Sequence, residues 1–152
     1  MVGAAVTGAG EAGGGTASPG YSGTPLWRKL GLKPGMTAQV LHADPGWRIP
    51  LDGTPDPIHW LGPGSPAHAD LILAFFRSAD EYRAELDALG ERIRPDGTLL
   101  AAWPRKAAGH VSDLGDTVVR DAALERGLVD VKVAAISADW SGLKIVWRRA
   151  NR

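Results

Sequence analysis

The sequence contains no cysteine, which excludes disulfides, thiolate metal sites and cysteine nucleophiles together. It has no net charge either. With 17 Lys and Arg against 17 Asp and Glu, there is no overall field to draw the chain to nucleic acid or an anionic membrane. No apolar run in the sequence approaches the roughly 18 residues of a membrane span. The N-terminus has neither a basic leader nor a continuous apolar stretch, so a cytoplasmic protein is expected. Metal-ligand spacing is missing as well. His42, His59, His68 and His110 never fall one helical turn apart, and no metal is expected.

What is present is enough for one core: 152 residues, 44% of them hydrophobic, is the size of one ordinary domain. Residues 1–20 form a Gly/Ala-rich tail without an aromatic residue or a periodic apolar face, so disorder is expected there. Within that tail, Gly8-Ala9-Gly10-Glu11-Ala12-Gly13 matches the dinucleotide-binding glycine pattern. The context fails, because Gly14-Gly15-Thr16-Ala17-Ser18-Pro19-Gly20 cannot be the helix that would hold a pyrophosphate. A single α/β domain is expected over 21–152.

Thr24 and Pro25 predict the start of a short helix that Gly31 ends. Thr37 to Ala43 reads as a strand. Pro45, Pro50, Pro55 and Pro57 exclude a regular helix over 44–57. Ile58 to Leu61 reads as a short extended piece. Only seven residues separate Leu61 from Ala69, a reach of at most about 25 Å, so its place in a parallel sheet stays open. Leu71 to Phe76 is a continuous apolar run suited to the middle of such a sheet.

Ser78 with Glu81 makes a capping box, and Tyr82, Leu86, Leu89 and Ile93 recur at helical spacing. A strand from Thr98 to Trp103 follows. Asp113 is the expected cap of a second helix, with Leu114, Val118 and Ala122 on one face and Gly127 past its end. Two final strands, Val129 to Ser137 and Leu143 to Arg148, flank a short polar connection and predict an antiparallel hairpin. The fold class is therefore α/β, a sandwich with a mostly parallel sheet and an antiparallel C-terminal hairpin.

Five blocks carry a resemblance. Tyr21-Ser22-Gly23-Thr24-Pro25-Leu26, Lys29-Leu30-Gly31-Leu32-Lys33-Pro34-Gly35, Trp103-Pro104-Arg105-Lys106, Gly127-Leu128-Val129-Asp130-Val131-Lys132-Val133 and Asp139-Trp140-Ser141-Gly142-Leu143-Lys144 closely resemble a bacterial, largely actinobacterial family catalogued as a domain of unknown function. That resemblance implies no activity. More broadly, the segment from Ala69 through Trp103 resembles the Rossmann-like fold of class I S-adenosylmethionine methyltransferases. That fold's cofactor motif is an acid and spaced glycines after the first strand, with an acid after the second to hold the ribose. Here the corresponding stretches read His42-Ala43-Asp44-Pro45-Gly46-Trp47 and His59-Trp60-Leu61-Gly62. Proline removes an N–H and tryptophan fills the space that close backbone approach needs, so no cofactor is expected.

In open α/β sheets, ligands sit outside the carboxyl ends of the strands. That rule selects His42, Asp44 and Trp47 after the first strand, Arg77 after the central one, and Arg105, Lys106 and His110 after Trp103. They suit a small anionic ligand or a protein partner. Read as plain structure, the same residues are solvated charges and loop histidines, because the rule picks a region and not a function. No catalytic residue is assigned. Ser22, Ser78 and Ser141 lack a nucleophile elbow, and Pro45 ends the strand on which His42 and Asp44 would share a face. The expected function is a noncatalytic binding or interaction domain on a degenerate methyltransferase-like scaffold, the alternative being a small-molecule enzyme such as an atypical methyltransferase. Among six tryptophans, Trp47, Trp60 and Trp140 fall in or beside predicted loops, where an aromatic anchors either the loop or a partner.

Overall fold

The central apolar run becomes the middle of a six-stranded sheet, and the rest of the topology follows from its position. The structure is a computed structural model that describes residues 25–47, 49, 57–106 and 109–152. The expected tail, residues 1–20, lies outside the described residues, as does the Thr24 cap. The strands are β1 (Thr37–Leu41), β2 (His59–Trp60), β3 (Leu71–Phe75), β4 (Thr98–Pro104), β5 (Leu128–Ala135) and β6 (Trp140–Trp147). Their spatial order is β2-β1-β3-β4-β6-β5. The first four are parallel, and β6 runs antiparallel to both β4 and β5.

β3 is buried at all five positions because it has neighbours on both sides and apolar side chains on both faces. The open question of Ile58 to Leu61 is answered by where β2 pairs. It meets only the amino end of β1, Thr37 opposite His59 and Ala38 opposite Trp60. Ala38 is also opposite Leu71 of β3. The short connection therefore never travels the length of the sheet, and no helix is needed in it.

Two of the helices belong with this sheet. α2 (Ala79–Arg92) starts at Ser78, whose hydroxyl accepts from the Glu81 N–H at 3.2 Å, and Arg92 closes its last turn as the macrodipole favours. Its buried stripe of Tyr82, Leu86 and Leu89 joins Ile72, Ala74, Leu99, Ala101, Leu143 and Ile145 in one core. α3 (Asp116–Glu125) adds Val119, Ala122 and Ala123 to that core. Its start is a correction to the sequence reading, because the cap residue is Gly115 and not Asp113. Leu124, a poor fit to the apolar face, is 37% exposed.

A buried polar knot pins the amino end of this unit. Gln39 has no exposed surface. Its Nε2 donates to the Gly62 carbonyl at 2.6 Å and to that of Ser65 at 3.1 Å, while its Oε1 accepts from Arg92 Nη2 at 2.5 Å. Arg92 also donates to the Ala67 carbonyl. Burial holds the Arg92 guanidinium below its usual range. All three functional ends of the Gln39 amide and its neighbours are thereby satisfied, as a buried polar group requires.

Residues Gly35–Ala43 and Pro57–Arg152 make up the unit just described, and Met1–Pro34 with Asp44–Asp56 make up a second. In that second unit, α1 (Leu26–Leu30) ends at Gly31, whose φ of 91° is the left-handed conformation that glycine adopts without strain. Leu30, Leu32 and Ile49 are buried there.

Candidate functional site

Parallel strands β1, β3 and β4 bring their carboxyl ends to one edge, and most of the residues chosen by the strand-end rule gather along it. His42 follows β1 directly and turns back with a positive φ of 62°, uncommon outside glycine. Its ring lies 5.9 Å from that of Phe76, and its Nε2 meets Glu85 Oε1 of α2 at 2.8 Å. Arg77 follows β3. Its Nη1 donates to the His42 carbonyl at 3.4 Å, and its guanidinium stands 5.2 Å from the Trp140 ring centroid. Trp140 is also packed edge-on against Phe75 at 4.9 Å.

Beyond Trp140 the edge continues through Asp139. His110 Nε2 lies 3.0 Å from Asp139 Oδ1, and the Arg105 N–H donates to the Asp139 carbonyl at 2.8 Å. Arg105 Nη1 reaches the carbonyls of Ser137 and Ala138 at 3.5 and 3.4 Å. Lys106 is exposed beside it. His42, Arg77, Arg105 and His110 thus form a continuous rim, joined by Trp140 and Asp139. Asp44 and Trp47 belong to the second unit, where the Trp47 N–H closes a turn on the Asp44 carbonyl at 3.0 Å.

The α2 N-terminus opens onto the same rim, and its donors are already engaged. The Ala79 N–H donates to Asp113 Oδ1 at 2.8 Å, the Glu81 N–H to Ser78 Oγ, and the Arg77 N–H to Glu81 Oε1 at 2.7 Å. Carboxylates of the chain itself occupy the place where a helix start would attract a foreign anion. A cleft of about 330 Å³ remains between His42, Phe75, Phe76, Arg77, Glu81 and Glu85. Its size is at the low end for ligand pockets, and it carries both signs of charge.

Sequence reasoning did not find Glu81 and Glu85 as rim residues, nor Asp113, Asp139 and Trp140. Asp139 and Trp140 stood within one of the resembling blocks, and the fold sets that block against another: Pro104 faces Trp140 and Trp103 faces Ser141 across β4 and β6. Among the described residues, no group of three or more His, Asp or Glu side chains is placed to hold a metal. No described helix is long and apolar enough to cross a membrane.

No protein-family model matches the sequence, and no curated protein is significantly similar to it. Solved structures do resemble it. The crystal structure of magnesium protoporphyrin IX methyltransferase from Synechocystis PCC 6803 with bound SAM superposes with a TM-score of 0.56 at 12% identity, covering 81% of this chain and 74% of that one. The ribosomal protein L11 methylase from Lactobacillus delbrueckii subsp. bulgaricus gives 0.50 at 12% identity, covering 81% and 75%. Against the Synechocystis enzyme with bound SAH, the match has a TM-score of 0.46 at 11% identity and spans 64% of this chain and about half, 54%, of the other. Such likeness establishes the fold: a Rossmann-like, methyltransferase-like α/β sheet, mostly parallel, with an antiparallel C-terminal pair.

The cofactor implied by this fold is not matched by the residues present. The strand end after β1 is filled by the His42 ring, Glu85 and Arg77. The loop after β2 offers no carboxylate, and its Gly62 and Ser65 carbonyls are taken by Gln39. Backbone approach and ribose recognition therefore both lack their groups.

Proposed function

We propose that the chain is a noncatalytic binding domain on a methyltransferase-like scaffold, with its recognition surface along the rim from His42 through Arg77 to Arg105, Lys106 and His110. One observation carries this reading: the donors and cations at the strand ends are held by the chain's own carboxylates and carbonyls. A catalytic site keeps such groups available for substrate, whereas a recognition surface uses them to fix its shape. Asp44 and Trp47, which follow β1 in sequence, are assigned to the same surface on the strand-end rule alone.

The partner on this reading is a small anionic ligand or another protein, and the compartment is the cytoplasm. We also assign the chain to the actinobacterial family that its five motif blocks resemble. Calorimetry with S-adenosylmethionine at micromolar protein tests the reading. The expected result is no binding with a dissociation constant near ten micromolar or tighter, about −7 kcal/mol. Binding at that strength would replace it with the atypical methyltransferase.

A further inference from the structure

A second cleft lies at the opposite, amino end of the parallel strands, and it is larger, about 560 Å³. Its floor is apolar: Leu86 and Gly90 of α2, Leu128 at the start of β5 and Trp147 at the end of β6. The floor is rigid because Trp147 Nε1 donates to the Gly90 carbonyl at 2.8 Å and the ring leaves no room for a larger residue, a Cβ on Gly90 falling 3.3 Å from Trp147 Cζ2.

An arginine stands at each end of this floor. Arg126 donates through Nε to Asp87 at 2.7 Å and through Nη1 to the Ala122 carbonyl at 2.8 Å. Arg94 donates through Nε to Glu91 at 3.0 Å and through Nη1 to the Asn151 carbonyl, and its guanidinium lies flat on Trp147, 3.7 Å from the ring centroid. Among the described residues, the Nη2 of neither arginine has a protein partner. The carboxylates beside them are loosely held, Asp87 being 79% and Glu91 66% exposed at the side chain. Asp87 and Arg94 are seven residues apart on one helix, which sets the two guanidinium groups roughly 10 Å apart at 1.5 Å per residue.

We propose that this cleft is a binding site for a small organic dianion with a flat apolar body, each anionic group engaging one arginine and the body lying over Leu86, Leu128 and Trp147. Guanidinium prefers in-plane, bidentate contact with carboxylate or phosphate, and stacking on Trp147 fixes the plane of Arg94 for that contact. The site shares no residue with the rim, so it stands whether or not the proposed function does.

The probe is terephthalate, titrated into the ¹⁵N-labelled full chain at fixed ionic strength, with benzoate and inorganic phosphate in parallel. Terephthalate is expected to shift the Trp147 indole N–H and the amides of Gly90 and Leu128, at least fivefold more tightly than benzoate or phosphate. Arg126→Gln should weaken it tenfold or more. Asp87→Asn with Glu91→Gln, which removes competing charge and leaves the arginines in place, should tighten it severalfold. The proposal is overturned if these signals stay silent, if phosphate binds as tightly, or if affinity ignores both sets of variants, which would mean an adventitious additive only.

Discussion

The carboxylate of Asp113 accepts a hydrogen bond from the backbone N–H of Ala79, 2.8 Å away and 34 positions earlier in the chain. Asp113 therefore caps the helix that follows the central strand, although it stands three residues before the helix that comes next. α2 thus has two side-chain caps, Asp113 on Ala79 and Ser78 on Glu81.

Replacing Asp113 by alanine is expected to lower stability by about 1 kcal/mol, the usual worth of a helix cap, and Asp113→Asn by less. Hydrogen exchange distinguishes the helix concerned. The first-turn amides of α2 should exchange faster while those of α3 stay unchanged; the reverse pattern would restore Asp113 to α3.

Gly97 is sealed in by backbone. A Cβ there would sit 2.7 Å from the Ile93 carbonyl oxygen and 2.9 Å from that of Ala69, neither of which can swing aside. Gly97→Ala should cost about 2 to 3 kcal/mol in chemical denaturation. Gly64→Ala, which would meet nothing within 4 Å, is the control and should be close to neutral.

Tyr82 is fully buried and donates to the Val119 carbonyl at 2.8 Å. Burial pushes its phenol well above the ordinary tyrosine range, against the pull of Arg126 and Arg83. Its proton is held more tightly in the folded state than in the unfolded one. Stability from this group is therefore complete below about pH 10 and falls as pH rises beyond it. Tyr82→Phe should cost about 1 to 2 kcal/mol at neutral pH by leaving the carbonyl unpaired. The difference between wild type and variant should shrink in denaturation curves taken above pH 10. A constant difference would count against a buried, protonated phenol.

Gln39 tests the polar knot. Gln39→Glu keeps an acceptor for Arg92 but turns a carboxylate toward the Gly62 and Ser65 carbonyls, so it should destabilise by about 2 kcal/mol, no less than Gln39→Ala. A neutral Gln39→Glu would show that Arg92 alone holds the loop.

Much of the fold was legible because the signals are local. The run Leu71 to Phe76 announces a buried strand, Ser78 with Glu81 announces a helix start, and Gly31 announces a helix end, each within a few residues. The antiparallel pair β5 and β6 was legible from the short polar turn between two apolar runs. For the candidate site, the strand-end rule found the region and four of the side chains that line it. It could not find their partners, since Glu85 reaches His42 across 43 positions and Asp139 reaches His110 across 29.

The sequence by itself determined the class of fold, the type and order of the main elements, and the misfit of the methyltransferase cofactor motif, because periodicity, capping and glycine content are written along the chain. Tertiary structure alone decided which helix Asp113 caps, that β2 pairs only with the amino end of β1, that Gln39 and Arg92 share a buried knot, and that Arg94 and Arg126 flank one apolar floor. Those outcomes depend on which side chains the sheet order brings within a few ångströms, and hydrogen bonds and ion pairs act only at that range.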